Sequence, residues 1–354
     1  MRLLLAPMEG LLDELLRAQL TALASYDYAV SPFARISENV PARRFFTRIA
    51  PELLAGGRTA AGTPVRLQLL GSDPGRMAAS AARLARLQPP GVDLNFGCPA
   101  PTVNRHRGGA ALLDEPALLH EIASAVRAAL PASIPLSAKM RLGIRDTSQA
   151  LACAQALASA GIDSLVVHAR TKLDGYRPPA HWEWIARIAQ AVAVPVVANG
   201  EVWTAADWLR CRASAGVDDV MLGRGAVADP FLAARIRAGQ FEPPTAAQQA
   251  QEWAAVQVAL GEFWQAVKAS REARHAPGRI KQWLKLLART YPAAAALFAS
   301  LRPLTTVTMI DELLRRHGVP LPCGGEQGLG LGLNREAAAA ASGSAATVLL
   351  EMEG

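Results

Sequence analysis

The sequence predicts an α/β fold: a closed (β/α)8 barrel followed by a small all-helical C-terminal domain. Three observations carry the prediction. Eight short apolar runs recur through the first two thirds of the 354 residues, alanine- and leucine-rich segments with helical spacing separate them, and polar residues close nearly every run. Alternating strands and helices imply a parallel sheet. Eight such units within about 235 residues match the usual size of a TIM barrel. A hydrophobic fraction of 51% supplies enough apolar material for a large core.

In order, the strand runs are residues 3–7, 28–31, 65–70, 91–94, 136–140, 164–168, 195–198 and 219–222. Each is short, apolar and bounded by turn residues, as a buried strand should be. Helical spacing marks residues 74–87, 116–130, 147–160, 182–191 and 204–214 between them. A doubly wound open sheet is the structural alternative. It normally needs fewer strands, and no G-x-G-x-x-G follows the first run here. The barrel is placed at residues 1–240. After Phe241-Glu242-Pro243-Pro244 the strand pattern stops, and helices are predicted at 246–267, 278–290, 293–300 and 307–317, forming a second domain at 241–318.

The strand ends carry the chemistry. In order they present Met8-Glu9, Arg35 slightly beyond the second strand, Gln68, Asn95 with Cys98, Lys139 with Arg141, His168 with Arg170, Asn199 with Glu201, and Gly223-Arg224. A barrel places its active site at this C-terminal rim. For any one of these residues a cap or a loop salt bridge is an adequate explanation; for nearly all eight strand ends it is not. Cys98 follows a strand in Asp93-Leu94-Asn95-Phe96-Gly97-Cys98-Pro99, which puts its thiol at the rim. The bland alternative is that Cys98 is a small buried hydrophobe, as most free cysteines are. The glycine turns at Asn199-Gly200-Glu201 and Gly223-Arg224-Gly225-Ala226 follow the seventh and eighth strands, where barrels commonly hold a phosphate. Arg224 can add a charge-assisted bond there.

Bulk properties exclude other classes. The four cysteines, Cys98, Cys153, Cys211 and Cys323, form no CxxC pair, so neither a zinc site nor a redox dithiol is suggested. They are too few for a secreted disulfide scaffold. The N-terminus is too short in apolar residues for a signal-peptide core, and no run of 18 apolar residues spans a membrane. The expected location is the cytoplasm. The net charge of +7 and pI near 9.6 permit an acidic partner without identifying one.

Seven runs in order resemble the flavin-dependent tRNA-dihydrouridine synthases. They are Leu5-Ala6-Pro7-Met8-Glu9-Gly10, Gln68-Leu69-Leu70-Gly71, the Cys98 run, Lys139-Met140-Arg141-Leu142-Gly143, Val167-His168-Ala169-Arg170-Thr171, Ala198-Asn199-Gly200-Glu201 and Gly223-Arg224-Gly225-Ala226. The resemblance covers about residues 1–315. It implies FMN on the barrel mouth and NADPH as reductant. Pro7, Met8, Glu9 and Gln68 would line the isoalloxazine, and Lys139 would stabilise negative charge on the reduced ring. His168, Asn199, Gly200, Glu201, Gly223 and Arg224 would hold the ribityl chain and phosphate. Hydride from flavin N5 would add to uracil C6, and an acid must then protonate C5. A thiol of ordinary pKa near ~8.5 is protonated at neutral pH, so Cys98 is read as the general acid. Asn95 is a candidate for hydrogen bonding to the uracil edge, or alternatively a turn residue. Arg141 is a candidate substrate contact. Tyr176 is another, or packs against the rim. Asn104-Arg105-His106-Arg107 makes the loop after Cys98 more basic than is usual in the family; a phosphate contact by these arginines is the preferred reading over a solvated loop.

The window 268–302 holds eight Lys/Arg and one acid, Glu272, so its excess equals that of the whole chain. An RNA-binding surface requires such local charge, although a solvated helix face is the commoner fate. Lys281, Lys285 and Arg289 recur every four residues, opposite an apolar face of Ile280, Trp283, Leu284 and Leu287. Arg279-Ile280-Lys281-Gln282-Trp283 resembles the signature of the subgroup that reduces uridine 16 of tRNA. By that resemblance Arg35, Arg279, Lys281 and Arg302 would orient the tRNA. Leu286 departs from the pattern, where an aromatic is expected. The tail at 319–354 has no match to the family; disorder and a marginal helix over its alanine run both stay open. The expected assembly is a monomer with no obligate protein partner and no metal. A small-molecule FMN barrel and a non-catalytic RNA-binding barrel are the competing functions; the first would not need the basic helices, and the second would not need Cys98, Lys139 and His168.

Overall fold

The computed structural model describes residues 1–104, 108–270 and 273–321. Arg105, His106 and Arg107, Arg271 and Glu272, and the tail from residue 322 with Cys323 lie outside the described residues.

Eight parallel strands close into a barrel in sequence order. They are β1 (Leu3–Leu5), β2 (Tyr28–Arg35), β3 (Val65–Leu70), β4 (Val92–Phe96), β5 (Leu136–Arg141), β6 (Ser164–His168), β7 (Val196–Asn199) and β8 (Val220–Leu222). Closure comes from β1 against β8, with Leu3 opposite Val220 and Leu5 opposite Leu222. Because side chains alternate along a strand, each strand serves two cores. Leu4, Val30, Val166, Val197 and Met221 fill the inside. Leu3, Leu5, Leu67, Leu94 and Leu165 face the surrounding helices.

Those helices are α1 (Glu14–Leu23), α2 (Arg43–Ile49), α3 (Pro74–Ala85), α4 (Pro101–Asn104), α5 (Pro116–Ala129), α6 (Ala150–Ser159), α7 (Trp182–Ala191), α8 (Ala205–Ala215), α9 (Arg224–Ala228) and α10 (Leu232–Ala238). Local chemistry starts several of them. Asp13 accepts from the Leu16 amide at the start of α1, and Asp73 from the Arg76 amide at the start of α3. Thr204 and Asp207 close a reciprocal capping box on α8.

The second strand is longer than the sequence suggests. Pro32 reads as a strand breaker, yet β2 continues to Arg35 through a register shift between Val30 and Phe33. A proline that cannot donate is tolerated at such an irregularity. Arg35 therefore ends the strand instead of lying beyond it.

Four helices follow: α11 (Ala246–Ala269), α12 (Ala276–Leu287), α13 (Pro292–Leu301) and α14 (Val307–Arg316). The apolar face expected on α12 is the observed one: Ile280, Trp283, Leu284 and Leu287 are all buried. Lys281 and Lys285 lie on α12, but Arg289 falls just past its end. Trp283 donates its indole N–H to the Val227 carbonyl of α9 and meets Phe263 of α11 edge-on at 5.1 Å. The apolar core runs without a break from the barrel helices into these four. Beside it, Arg235 of α10 pairs with Asp229 at 3.0 Å and with Glu252 of α11, which also accepts from the Tyr291 hydroxyl at 3.2 Å. Val319, assigned to the tail by its sequence, is buried, and its amide bonds the Leu314 carbonyl. No helix among the described residues is long and apolar enough to cross a membrane.

Trp283 joins α9, α11 and α12 in one packed layer. Trp283→Ala should lower the unfolding free energy by about 3–5 kcal/mol, as loss of a fully buried indole does; guanidinium unfolding monitored by far-UV circular dichroism measures it.

Candidate active site

The C-terminal ends of the strands open into a cavity of about 760 Å³. This is within the usual range for a cofactor or substrate pocket. Sixteen of the residues singled out from the sequence line it: Pro7, Met8 and Glu9 after β1, Arg35 of β2, Gln68 of β3, Asn95 and Cys98 at the end of β4, Lys139 and Arg141 of β5, His168 of β6, Tyr176 in the next loop, Asn199, Gly200 and Glu201 after β7, and Gly223 and Arg224 after β8. Arg279, Lys281 and Arg302 do not line it.

Cys98 is half-buried in the cavity wall, whereas Cys153 and Cys211 are buried in the core. A chain of side-chain hydrogen bonds sets its position. The Asn95 amide oxygen accepts from the backbone N–H of both Gly97 and Cys98, each at 2.9 Å. The Asn95 amide nitrogen donates to the Gln68 side-chain oxygen at 2.7 Å, and Gln68 in turn donates to Asp93 at 2.6 Å. Ser137 donates to the other Asp93 oxygen at 2.6 Å. Asp93 is fully buried, and that burial pushes its carboxyl pKa up despite the two donors. Asn95 thus makes the turn that presents Cys98, with one side-chain N–H left over, and Gln68 likewise keeps one N–H and one lone pair. Burial also pushes the Cys98 thiol pKa up, with the Glu9 carboxylate adding to the effect. The thiol therefore holds its proton at neutral pH.

The strands next to β4 bring positive charge to the cavity, with Lys139 of β5 paired in register with Asn95. Lys139, Arg141, Arg170 and Arg224 converge around His168, and Glu201 pairs with Arg170. Burial, reinforced by Arg141, lowers the Lys139 ammonium pKa to about 8. Burial followed by Arg141 and Lys139 holds His168 well below its ordinary value, so its imidazole is neutral. Arg141 donates to the carbonyls of Gly97, Thr171 and Gly175 at 2.9 Å each, and so ties the Cys98 loop to the loop after β6. Backbone crowding explains two glycines. Gly200 has φ +115°, and a Cβ there would lie 2.9 Å from the His168 ring. A Cβ on Gly225 would lie 2.1 Å from the Val202 carbonyl oxygen, so the turns after β7 and β8 can touch only with glycine there.

Asp93 and Trp203, not singled out from the sequence, also belong to this site, and so does Arg170, read there as a strand-end group. Asp93 anchors the hydrogen-bond chain; a lone acid inside an apolar run was its sequence signal, since unpaired buried acids are rare. Arg170 lines the cavity from beyond β6, and Trp203 lines it from the start of α8. Nothing local distinguishes Trp203 from a core tryptophan.

The helical residues are placed differently. Arg279 pairs with Asp13 at the start of α1 and lies 5.6 Å from the Phe263 ring centroid. Lys268 pairs with Asp311 at 2.9 Å. The charge excess of the 268–302 window is therefore smaller in space than in sequence, because acids distant in the chain neutralise part of it. Lys281 is half-buried, and Lys285, Arg289 and Arg302 are exposed.

The cavity fits a flavin mononucleotide. Its open floor at Pro7 and Met8 can take a planar ring, the converging cations match a phosphate, and Gly200 and Gly225 leave backbone space for close approach. A family model described as dihydrouridine synthase matches residues 4–303. A protein of Aquipseudomonas alcaligenes named tRNA-dihydrouridine(16) synthase is 54% identical over 317 residues, covering 89% of this chain and 99% of its own length. One of the same name from Ralstonia nicotianae is 56% identical over 321 residues, covering 90% and 97%. Among solved structures, histamine dehydrogenase from Rhizobium sp. 4-9 aligns with a TM-score of 0.52 at 12% identity, over 75% of this chain and 48% of its own. That likeness speaks to the barrel fold alone.

The burial of the cysteines makes a labelling prediction. With Cys323 replaced by serine, iodoacetamide should modify Cys98 and leave Cys153 and Cys211 unmodified in the native protein. Because the Cys98 pKa is raised, its thiolate forms only in alkaline solution. The labelling rate, followed by mass spectrometry, should therefore be slow at pH 7 and still rising above pH 9.

Proposed function

This chain belongs to the dihydrouridine synthase family, and on that premise we propose that it reduces uridine to 5,6-dihydrouridine at position 16, in the D-loop of tRNA, with bound FMN and with NADPH as reductant. The observation that carries the reading is the half-buried thiol of Cys98, held through the Asn95 turn in a cavity that Lys139, Arg141, His168 and Arg224 also line. The two relatives above, similar over nearly their whole length, support position 16.

When bound, FMN supplies the hydride that adds to C6 of uracil. The residues of the chain divide the remaining work. Cys98 donates its proton to C5 as charge develops there, and the resulting thiolate recovers a proton from solvent, so the base gains one hydride and one proton. The Asn95 turn fixes the thiol, and its spare N–H is available to the uracil edge. Lys139 would supply positive charge to the cofactor ring, which Pro7, Met8, Glu9 and the spare amide groups of Gln68 would line. His168, Asn199, Gly200, Glu201, Gly223 and Arg224 would hold the ribityl chain and phosphate. Tyr176 stands beside His168 at a centroid distance of 6.1 Å, as a wall for the incoming base. Reaching this depth requires the target uridine to leave its stack. Lys281 and Arg302 from the helices, with Arg35 at the rim, contact tRNA phosphates and set which base enters. Arg279 contributes through its pairing with Asp13, which orients α12 against the barrel. The barrel (1–240) is thus the catalytic domain and the helices (241–318) the tRNA-docking domain of a monomer.

Cys98→Ala tests this directly. The variant should purify yellow and accept hydride from NADPH, yet form dihydrouridine about 10²–10⁴-fold more slowly, the usual contribution of a positioned acid. Full activity would exclude the acid role. Mapping tRNA from a strain lacking the protein should show unmodified uridine at position 16; full modification there would overturn the assignment.

A further inference from the structure

At the cavity rim, guanidinium groups and aromatic rings alternate. Arg141 lies 5.2 Å from the Tyr176 ring centroid, and Arg224 lies 4.9 Å from the same ring. Arg224 is also 5.0 Å from the Trp203 ring centroid, and Arg289 is 4.1 Å from it. The row starts beside the Cys98 loop, which Arg141 holds through the Gly97 carbonyl, and ends on a residue of the helical domain. Trp203 is held firmly. Its indole N–H donates to Glu201 at 3.1 Å, and its backbone N–H to Asp207 of the α8 capping box at 3.0 Å.

Two features of this row are unusual for a purely structural contact. Two arginines share one indole, and among the described residues neither Arg224 nor Arg289 is paired with a carboxylate. The outer one, Arg289, is exposed and lies outside the cavity lining, so a phosphate held in the cavity at Arg224 leaves it unanswered. Single-stranded RNA offers the matching pattern. Its splayed bases stack on aromatic rings and guanidinium planes, and its phosphates pair with arginine.

We propose that Trp203 and Arg289 form a grip for the nucleotide adjoining the target uridine, with Trp203 stacking its base and Arg289 taking its phosphate. The inference rests on the tRNA reading above and deepens it. One nucleotide is extruded into the cavity, and its neighbour is caught at the joint between barrel and helices. The grip spans that joint, so the arrangement of α12 and the barrel sets the distance between the two nucleotides.

Equilibrium binding of unmodified tRNA to the full-length, flavin-loaded protein tests the grip. Arg289→Ala should weaken binding about tenfold and flatten the slope of log affinity against log salt by about one. Its flavin content and melting temperature should stay those of the parent. Trp203→Ala should also weaken binding about tenfold, and Trp203→Phe should restore most of the loss, because stacking requires a ring. Unchanged affinity and salt slope in Arg289→Ala would overturn the grip. So would weakened binding with a lowered melting temperature and an unchanged salt slope, which would make the contact a tether between barrel and helices. If the parent protein itself bound no tRNA, the underlying functional reading would fail and take the grip with it; a parent that binds alongside unaffected variants removes the grip alone.

Discussion

Closure of the parallel sheet is the constraint from which the site follows. Once β1 pairs with β8, all eight strands point the same way and every strand end is delivered to one rim. Residues as distant in sequence as Met8 and Arg224 then face a single cavity. None of the strand-end residues needs to be near another along the chain. The barrel also fixes which side chains point inward, because the two-residue period of each strand commits alternate positions to the inner core and to the helix layer. The strands are short, and the helices packed outside supply most of the remaining apolar burial.

Within that frame the catalytic wall is rigidified by buried polarity. Asp93, Gln68 and Asn95 bridge β3 and β4, and Ser137 adds β5, so the turn carrying Cys98 is tied to three strands. A buried acid is costly unless it is hydrogen-bonded. Here its donors are the groups that position the thiol, so desolvation and geometry are linked. The neighbouring strands follow another logic. Burial, reinforced by the cations around them, depresses the pKa of Lys139 and His168, and the cavity is left prepared for an anion.

The helices are more than an appended basic surface. Their core continues that of the barrel, and Arg235 with Asp229 and Glu252, and Arg279 with Asp13, join the two across the boundary. Removing one partner of such a pair leaves a charge without compensation, so these contacts favour a single arrangement over several. A fixed arrangement matters for an enzyme that must select one base of a folded RNA, because docking contacts specify register only if they are held at a constant distance from the cavity.

Much of this was legible in the residues alone. Periodicity is local, so the strands and helices and their order could be read directly, and the strand ends, the glycine turns and the family resemblance together pointed to sixteen cavity residues. The exceptions share one cause. Pro32 looked like the end of a strand because its sequence does not show that the neighbouring strand tolerates a register shift there. Arg279 and Lys268 looked like free charge because Asp13 and Asp311 lie far along the chain. Asn95 had two open roles until its amide was seen bonded to Gly97, Cys98 and Gln68. Asp93 acquired a role only from its neighbours, Gln68 and Ser137. The sequence by itself determined the elements, their order and the chemical types at each strand end, since these depend on a few adjacent residues. Tertiary structure alone decided which charges are neutralised, which amides are engaged and which rings meet which guanidiniums, because hydrogen bonds and ion pairs depend on distance in space, and a closed barrel brings together residues more than 200 positions apart.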